Sequence, residues 1–266
     1  MIPNPASSQA ANSPAAVITW PLLPDDFVLP DDPVENEAQP LLAAALTQAL
    51  ASLPELTQDA LIVSNFALCA GINGRIICKA PDWMYVAPVQ PSTRIRRSHT
   101  PHKQGAVPYV VMEFLSENDC GEYSMKSGQK IGKWHFYERV IEVPRYVIFD
   151  PDSGELEVYA LERNRYELET ADEQGLYLIP GINLRLGVWE GTHEIRTGPW
   201  LRWWTAEGDL VFWLEDKVQQ AEDKAQQAED KVQQAEVEAR QARAEAEQER
   251  QEKAVLLAKL RAAGLA

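Results

Sequence analysis

Two carboxylates sit where carboxylates are costly. Asp82 opens the run DWMYVAP (82–88), and Glu113 lies inside VPYVVMEFL (107–115), apolar on both sides. An ionised carboxylate in such a run must be paired, hydrogen-bonded or bound to a cation. Two of them on neighbouring strands can hold one or two divalent cations, with a main-chain carbonyl such as that of Phe114 as a further ligand. The cation lowers the pKa of a bound water and neutralises charge on a phosphate. A nearby lysine adds a point charge at the same place. That set of parts suits phosphodiester hydrolysis. An edge strand or an outward face would accommodate either acid alone without any chemistry.

Other chemistries find less support. The four histidines show no metal-ligand spacing, and His135 has no Ser/Asp or Cys companion pattern that would make a triad. Gly71, Gly74 and Gly132 form no phosphate loop, and GxxxxGK[ST] does not occur. Cys69, Cys78 and Cys120 include no CxxC pair, which argues against a disulfide framework or a cysteine zinc site. They fit a reducing cytosol, so a cytoplasmic location is expected. Trp189, Trp200, Trp203 and Trp204 are dense enough to stack on bases. Packing at the end of a sheet is the preferred reading of them.

The elements that must position the two acids follow from hydrophobic period. Asp32-Pro33 and Glu35 resemble a helix start, and Leu41, Leu42, Ala45, Leu46, Ala49, Leu50 and Leu53 recur at helical spacing. A helix is expected over about 33–53, kinked or restarted at Pro40. LIVSNFAL (61–68), RIICKA (75–80), DWMYVAP and VPYVVMEFL then read as strands between Gly and Pro. A helical segment is expected from about Lys126 to Val143. YVIFD (146–150), ELEVYAL (155–161) and RYELET (165–170) read as strands again, the first two joined by a turn at Asp150-Pro151-Asp152-Ser153-Gly154. The expected class is α/β, a mixed sheet flanked by helices and followed by a long C-terminal helix.

Three segments differ in composition. The first 20 residues, rich in Pro, Ser, Asn and Ala, read as a disordered tail without the basic start and apolar stretch of a signal peptide. Residues 21–214 form the globular part. From Glu215 onward the chain repeats every seven residues, with Val218, Ala221, Ala225, Ala228, Val232, Ala235, Ala239, Ala242 and Ala246 on one seam. That pattern predicts a helix over 215–266, either solvated alone or paired in a coiled coil. No run of about 18 apolar residues exists, so no membrane-spanning helix is expected.

Charge follows the same division. Of the formal −15, residues 215–266 carry −3 and the preceding part −12. An acidic balance argues against nucleic-acid binding through overall charge. Against it stands one dense basic segment, RIRRSHTPHK, with Arg94, Arg96, Arg97, His99, His102 and Lys103.

Pro81-Asp82, with Glu113 31 positions later in a strand that is followed by a helix, resembles the PD-(D/E)XK nuclease superfamily. The chain more closely resembles its Uma-two branch of restriction-endonuclease-like proteins. The matching stretches are DDPVENEAQ (31–39), APDWMYV (80–86), PYVVMEFLSE (108–117), GEYSMK (121–126), GKWHFYERVIEVPRYVIFDP (132–151), ELEVYAL (155–161), YLIPGINLRLGVWEG (177–191) and PWLRWWTAEGDLV (199–211).

The resemblance implies a restriction-endonuclease-like fold and an Mg²⁺-dependent endonuclease (Mn²⁺ also serving) that cuts DNA. Its metal-binding acids fall on Asp82 and Glu113. The superfamily's lysine is missing from the strand, where Leu115 stands two residues after Glu113. In this branch it comes from the following helix, where Lys133 is the best match and Lys130 and Lys126 are substitutes. Glu37, or Glu35 equally by composition, matches an acid that helps hold the metal. Members commonly act as homodimers, which the coiled coil could supply. The alternative function is a catalytically silent nuclease-fold scaffold acting through its C-terminal helix.

Overall fold

The computed structural model describes residues 17–22, 24, 37–115, 123 and 131–262; for 214, 215, 217–223, 260 and 262 it describes the backbone alone. The expected helix start at Asp32-Pro33, Glu35, Lys126, Lys130 and most of the N-terminal tail lie outside the described residues. The chain divides into two compact units, Met1–Trp213 and Leu214–Ala266.

In the first unit, alternation along the central strands produces two separate cores. Strands β2 (Leu61–Val63), β5 (Trp83–Val86), β7 (Val110–Phe114), β8 (Arg145–Phe149), β9 (Leu156–Glu162) and β10 (Arg165–Leu168) form one sheet. Its order is β10-β9-β8-β7-β5-β2. Only the β7–β8 pair is parallel; the other ladders run antiparallel. On one face, Trp83, Tyr85, Val110, Met112 and Phe114 pack with helix α1 (Ala38–Ala51), through Leu42, Leu46 and Leu50. Strands β11 (Tyr177–Ile179), β12 (Leu184–His193) and β13 (Arg196–Trp204) form a second sheet that joins this core.

On the other face, Met84, Val86, Val111, Tyr146 and Ile148 pack with Phe136, Tyr137, Val140 and Ile141. Those four belong to α2, one α-helical turn at Lys133–His135 that continues as a π-helix over Phe136–Ile141. A third sheet contributes Leu68, Ala70 and Ile72 to this face. Its strands are β1 (Ile18–Thr19), β3 (Ala67–Ile72), β4 (Arg75–Lys79) and β6 (Ser98–His99).

Several expectations change against the structure. The run 61–68 is two strands in different sheets, because Asn65 turns with φ 46° between β2 and β3. Asparagine tolerates that left-handed conformation better than most side chains. Pro40 neither kinks nor restarts α1: it lies in the first turn, two residues after Ala38, where its missing N–H would have had no partner inside the helix. Cys69 and Cys78 stand opposite each other in the β3–β4 ladder and are joined as a disulfide, a cross-strand pairing that the absence of a CxxC motif gave no hint of. Trp200 and Trp203 are fully buried in the first core, which leaves their faces closed to nucleic-acid bases.

The second unit is one helix, α3 (Leu214–Ala262), exposed along all of 224–259. Among its described residues, hydrogen bonds between side chains run from Gln to an acid four residues away, as from Gln226 Nε2 to Asp230 Oδ1 at 3.0 Å. Among the described residues no helix is long and apolar enough to cross a membrane.

Candidate active site

The C-terminal end of β7 is where both acids meet. Glu113 shares its strand face with Val111 and so projects into the second core, at no measurable exposure. On β5 the same face carries Met84 and Val86, and Asp82, just before the strand, keeps that parity. The β5–β7 register pairs Trp83 with Met112; one residue further it sets Asp82 opposite Glu113. Asp82 is 8% exposed, and its Oδ2 accepts the main-chain N–H of Phe114 at 2.6 Å.

Helix α2 supplies the partners of Glu113. Lys133 Nζ donates to Glu113 Oε2 at 3.0 Å, and Tyr137 donates its hydroxyl to Glu113 Oε1 at 2.9 Å. The two donors are four residues apart, so one helix face presents both. Lys133 keeps 23% of its side chain exposed, so the ammonium stands between a buried acid and solvent. Burial, with the Glu113 carboxylate beside it and Asp82 further off, holds the Tyr137 hydroxyl well above its ordinary value of 10.0. Tyr137 therefore remains a donor. Tyr137 already lies in the π-helical turn, which ends where Glu142 takes a left-handed conformation, φ 60°, with Val143 N–H closing on Tyr137 O at 3.0 Å. Such turns are rare and recur at functional sites.

From the opposite face of the sheet, Gln39 Nε2 donates to the Phe114 carbonyl at 3.0 Å. This oxygen is the expected main-chain ligand; it retains a second lone pair. Glu37 lies two residues earlier, exposed at the N-cap position of α1. Asp82, Glu113, Lys133 and Phe114 are thus brought together, and Glu37 stands at the rim of the helix that holds Gln39. Tyr137 and Gln39 were not anticipated as part of the site. The signals for them were the four-residue spacing from Lys133, and a lone amide on an otherwise apolar helix face.

The basic segment is less open than its sequence suggests. His99 is fully buried with Nε2 at 2.8 Å from Ala106 O, and burial lowers its pKa. Arg96 is turned inward, onto the carbonyls of Gln104 and Gln90. Arg94, Arg97 and Lys103 remain exposed.

The residues present suit a hard dication. Two carboxylates in register and a peptide carbonyl form an all-oxygen donor set, which Mg²⁺ would complete with waters and phosphate oxygens. Among the described residues no group of three or more His, Cys, Asp or Glu gathers into a metal cluster. A pair of acids is nevertheless the usual protein contribution to an Mg²⁺ site.

Residues 25–190 match the family described as "Uma2: Putative restriction endonuclease". No curated protein matches the chain. Among solved structures, it is similar to the crystal structure of "a putative nuclease belonging to DUF820" from Anabaena variabilis ATCC 29413, at 16% identity and a TM-score of 0.39. That likeness covers 56% of this chain and 76% of the other.

Proposed function

This chain belongs to the Uma2 family, and on that premise we propose that it is a metal-dependent endonuclease that hydrolyses DNA phosphodiester bonds. The observation that supports this most is the shared carboxylate: Glu113, buried opposite Asp82, takes both Lys133 and Tyr137 on its two oxygens. A structural ion pair needs no second buried acid alongside it, and a buried charge without compensation is costly.

In this reading Asp82, Glu113 and the Phe114 carbonyl hold Mg²⁺ or Mn²⁺, and Glu37 is the outermost oxygen donor. The cation supplies a water of lowered pKa and positive charge against the phosphate. Lys133 is the phosphate-facing cation of the chain itself, partly open to solvent where DNA would approach. Tyr137, kept protonated, fixes the rotamer of Glu113 and is a positioning residue. Gln39 holds the Phe114 carbonyl in place from the other face. Arg94, Arg97 and Lys103 contact the DNA backbone, a local attraction within a unit of net charge −12. The protein works as a homodimer, with one site per DNA strand, and α3 is the pairing element.

The test is cleavage of supercoiled plasmid by purified protein in Mg²⁺, Mn²⁺ or EDTA, beside Asp82→Ala prepared identically. Metal-dependent nicking that disappears in the variant supports the reading. A folded wild type that nicks under no condition overturns it in favour of a scaffold acting through α3.

A further inference from the structure

We propose that α3 pairs with α3 of a second copy in parallel and in register. This deepens the homodimer reading above and rests on it. The seam has Ala225, Val232, Ala239 and Ala246 at the first core position of successive heptads and Ala228, Ala235 and Ala242 at the second. The residues just before each first position are Lys224, Lys231, Glu238 and Glu245; those just after each second position are Glu229, Glu236, Arg243 and Arg250. In a parallel pair, each residue of the former flank meets the latter flank of the partner helix five positions further on. The meetings are Lys224 with Glu229, Lys231 with Glu236, Glu238 with Arg243, and Glu245 with Arg250. Every one is opposite in sign, although both flanks reverse sign halfway along the helix.

Nothing within a single helix calls for that spacing. Side chains three or four apart are neighbours, whereas these stand five apart on opposite flanks of the seam. All eight are exposed, as are Val232 (59%) and Leu256 (61%) on the seam itself. Antiparallel pairing would bring each flank against its own kind. The antiparallel register that opposes the signs on both flanks, Lys224 against Glu245 and Glu229 against Arg250, sets Glu249 opposite Ala225 and Lys253 opposite Ala221, so neither charged seam residue meets the other.

The two charged seam positions agree with the parallel arrangement. Glu249 and Lys253 occupy consecutive core positions before Leu256. In register, Lys253 packs beside Glu249 and Glu252 of the second copy, and Glu249 beside its Arg250 and Lys253. A polar core layer of this kind costs stability and specifies register. Because α3 begins directly after Trp213, parallel pairing tethers both globular units at one end. Antiparallel pairing of 49 residues would set the two helix starts about 70 Å apart.

The experiment is disulfide cross-linking of the full-length protein, with oxidised wild type as the control for its native cysteines. Ala228→Cys alone and Ala246→Cys alone should each give a covalent dimer, and a mixture with one variant tagged should give no 228–246 product. A 228–246 product in place of the 228–228 one overturns the parallel arrangement while leaving the homodimer intact. A protein that sediments as a single copy overturns both, whatever its nicking activity. Arg243→Glu with Arg250→Glu should weaken self-association by roughly tenfold or more. Mixing that variant with Glu238→Lys plus Glu245→Lys should restore pairing; unchanged association in the first variant overturns the flank assignment.

Discussion

Lys133 Nζ lies 3.0 Å from Glu113 Oε2, bridging from α2 to the central strand β7. The position two residues after Glu113 on the strand, where a lysine would share its face, holds Leu115 instead. The helix thus delivers to the carboxylate the cation that the strand lacks. A second consequence is that the lysine's position depends on α2, whose geometry is set by the π-helical turn behind it. Displacement of that turn would move Lys133 and Tyr137 together.

Removing either acid should separate activity from folding. Asp82→Ala and Glu113→Ala are expected to abolish metal-dependent nicking of plasmid. Asp82→Ala removes the acceptor of the Phe114 N–H and should lower stability by about 1–3 kcal/mol. Glu113→Ala leaves the buried Tyr137 hydroxyl without its acceptor and should cost a similar amount. Circular dichroism and thermal melting check that both remain folded. Nicking at the wild-type rate by either variant would remove that acid from the site.

Lys133→Ala should reduce nicking by roughly 10²–10³-fold, the usual loss when one group that stabilises developing charge is removed. Lys133→Arg keeps the charge but replaces a compact ammonium with a planar fork, and should recover only part of the rate. Measuring both variants with matched melting curves distinguishes the proposed role from a packing one. If both variants melt earlier but cleave normally, the lysine serves only to neutralise Glu113.

Tyr137 makes stability depend on alkaline pH. In the folded protein its hydroxyl is held well above 10.0 by burial and by Glu113, and Tyr166 is likewise raised by burial and by Glu138. Below the unfolded value both states keep the proton, so this contribution is constant. Above about pH 10 the unfolded chain loses protons that the folded one retains, and stability falls as pH rises. Each tyrosine contributes a slope of up to about 1.4 kcal/mol per pH unit. Tyr137→Phe should therefore flatten the decline of Tm between neutral and strongly alkaline pH, and also cost about 1–3 kcal/mol at neutral pH by leaving Glu113 one donor short. An unchanged alkaline slope would show that the hydroxyl is not shielded as described.

How far the site could be read from the residues depends on which periods carry it. The apolar surroundings of Asp82 and Glu113 marked them as costly, whereas their shared face follows from the β5–β7 register, which neither run contains by itself. The helix face bearing Lys133 and Tyr137 has only one regular turn before the π-helix, too short for a 3.6-residue period to show. Gln39 acts through a carbonyl 75 positions away, a contact that no local pattern announces. The turn at Asn65 was hidden inside an apolar run whose two halves belong to different sheets. Heptads, by contrast, repeat long enough to declare both α3 and its flanks.

Truncation should show where the globular unit ends. Trp213 is its last residue, 3% exposed, and it is fastened on several sides. Its Nε1 donates to the Ala45 carbonyl at 3.1 Å, tying the end of the unit to α1. The Arg202 guanidinium lies 3.3 Å from its ring centroid, and His193 stacks on it with centroids 3.6 Å apart. A chain ending at Trp213 keeps all of these contacts and should melt close to the full-length protein. A chain ending at Leu210 loses Trp213, together with the Val211 carbonyl that accepts from the buried Arg202 guanidinium at 2.9 Å. Loss of a buried aromatic alone costs about 3–5 kcal/mol, so this shorter chain should melt far earlier or fail to fold. The longer truncation should still nick one strand of plasmid in Mg²⁺ but lose linearisation, because the site remains and the pairing helix is gone. Linear product formed at the full-length rate would show that α3 is not what brings two sites to one duplex.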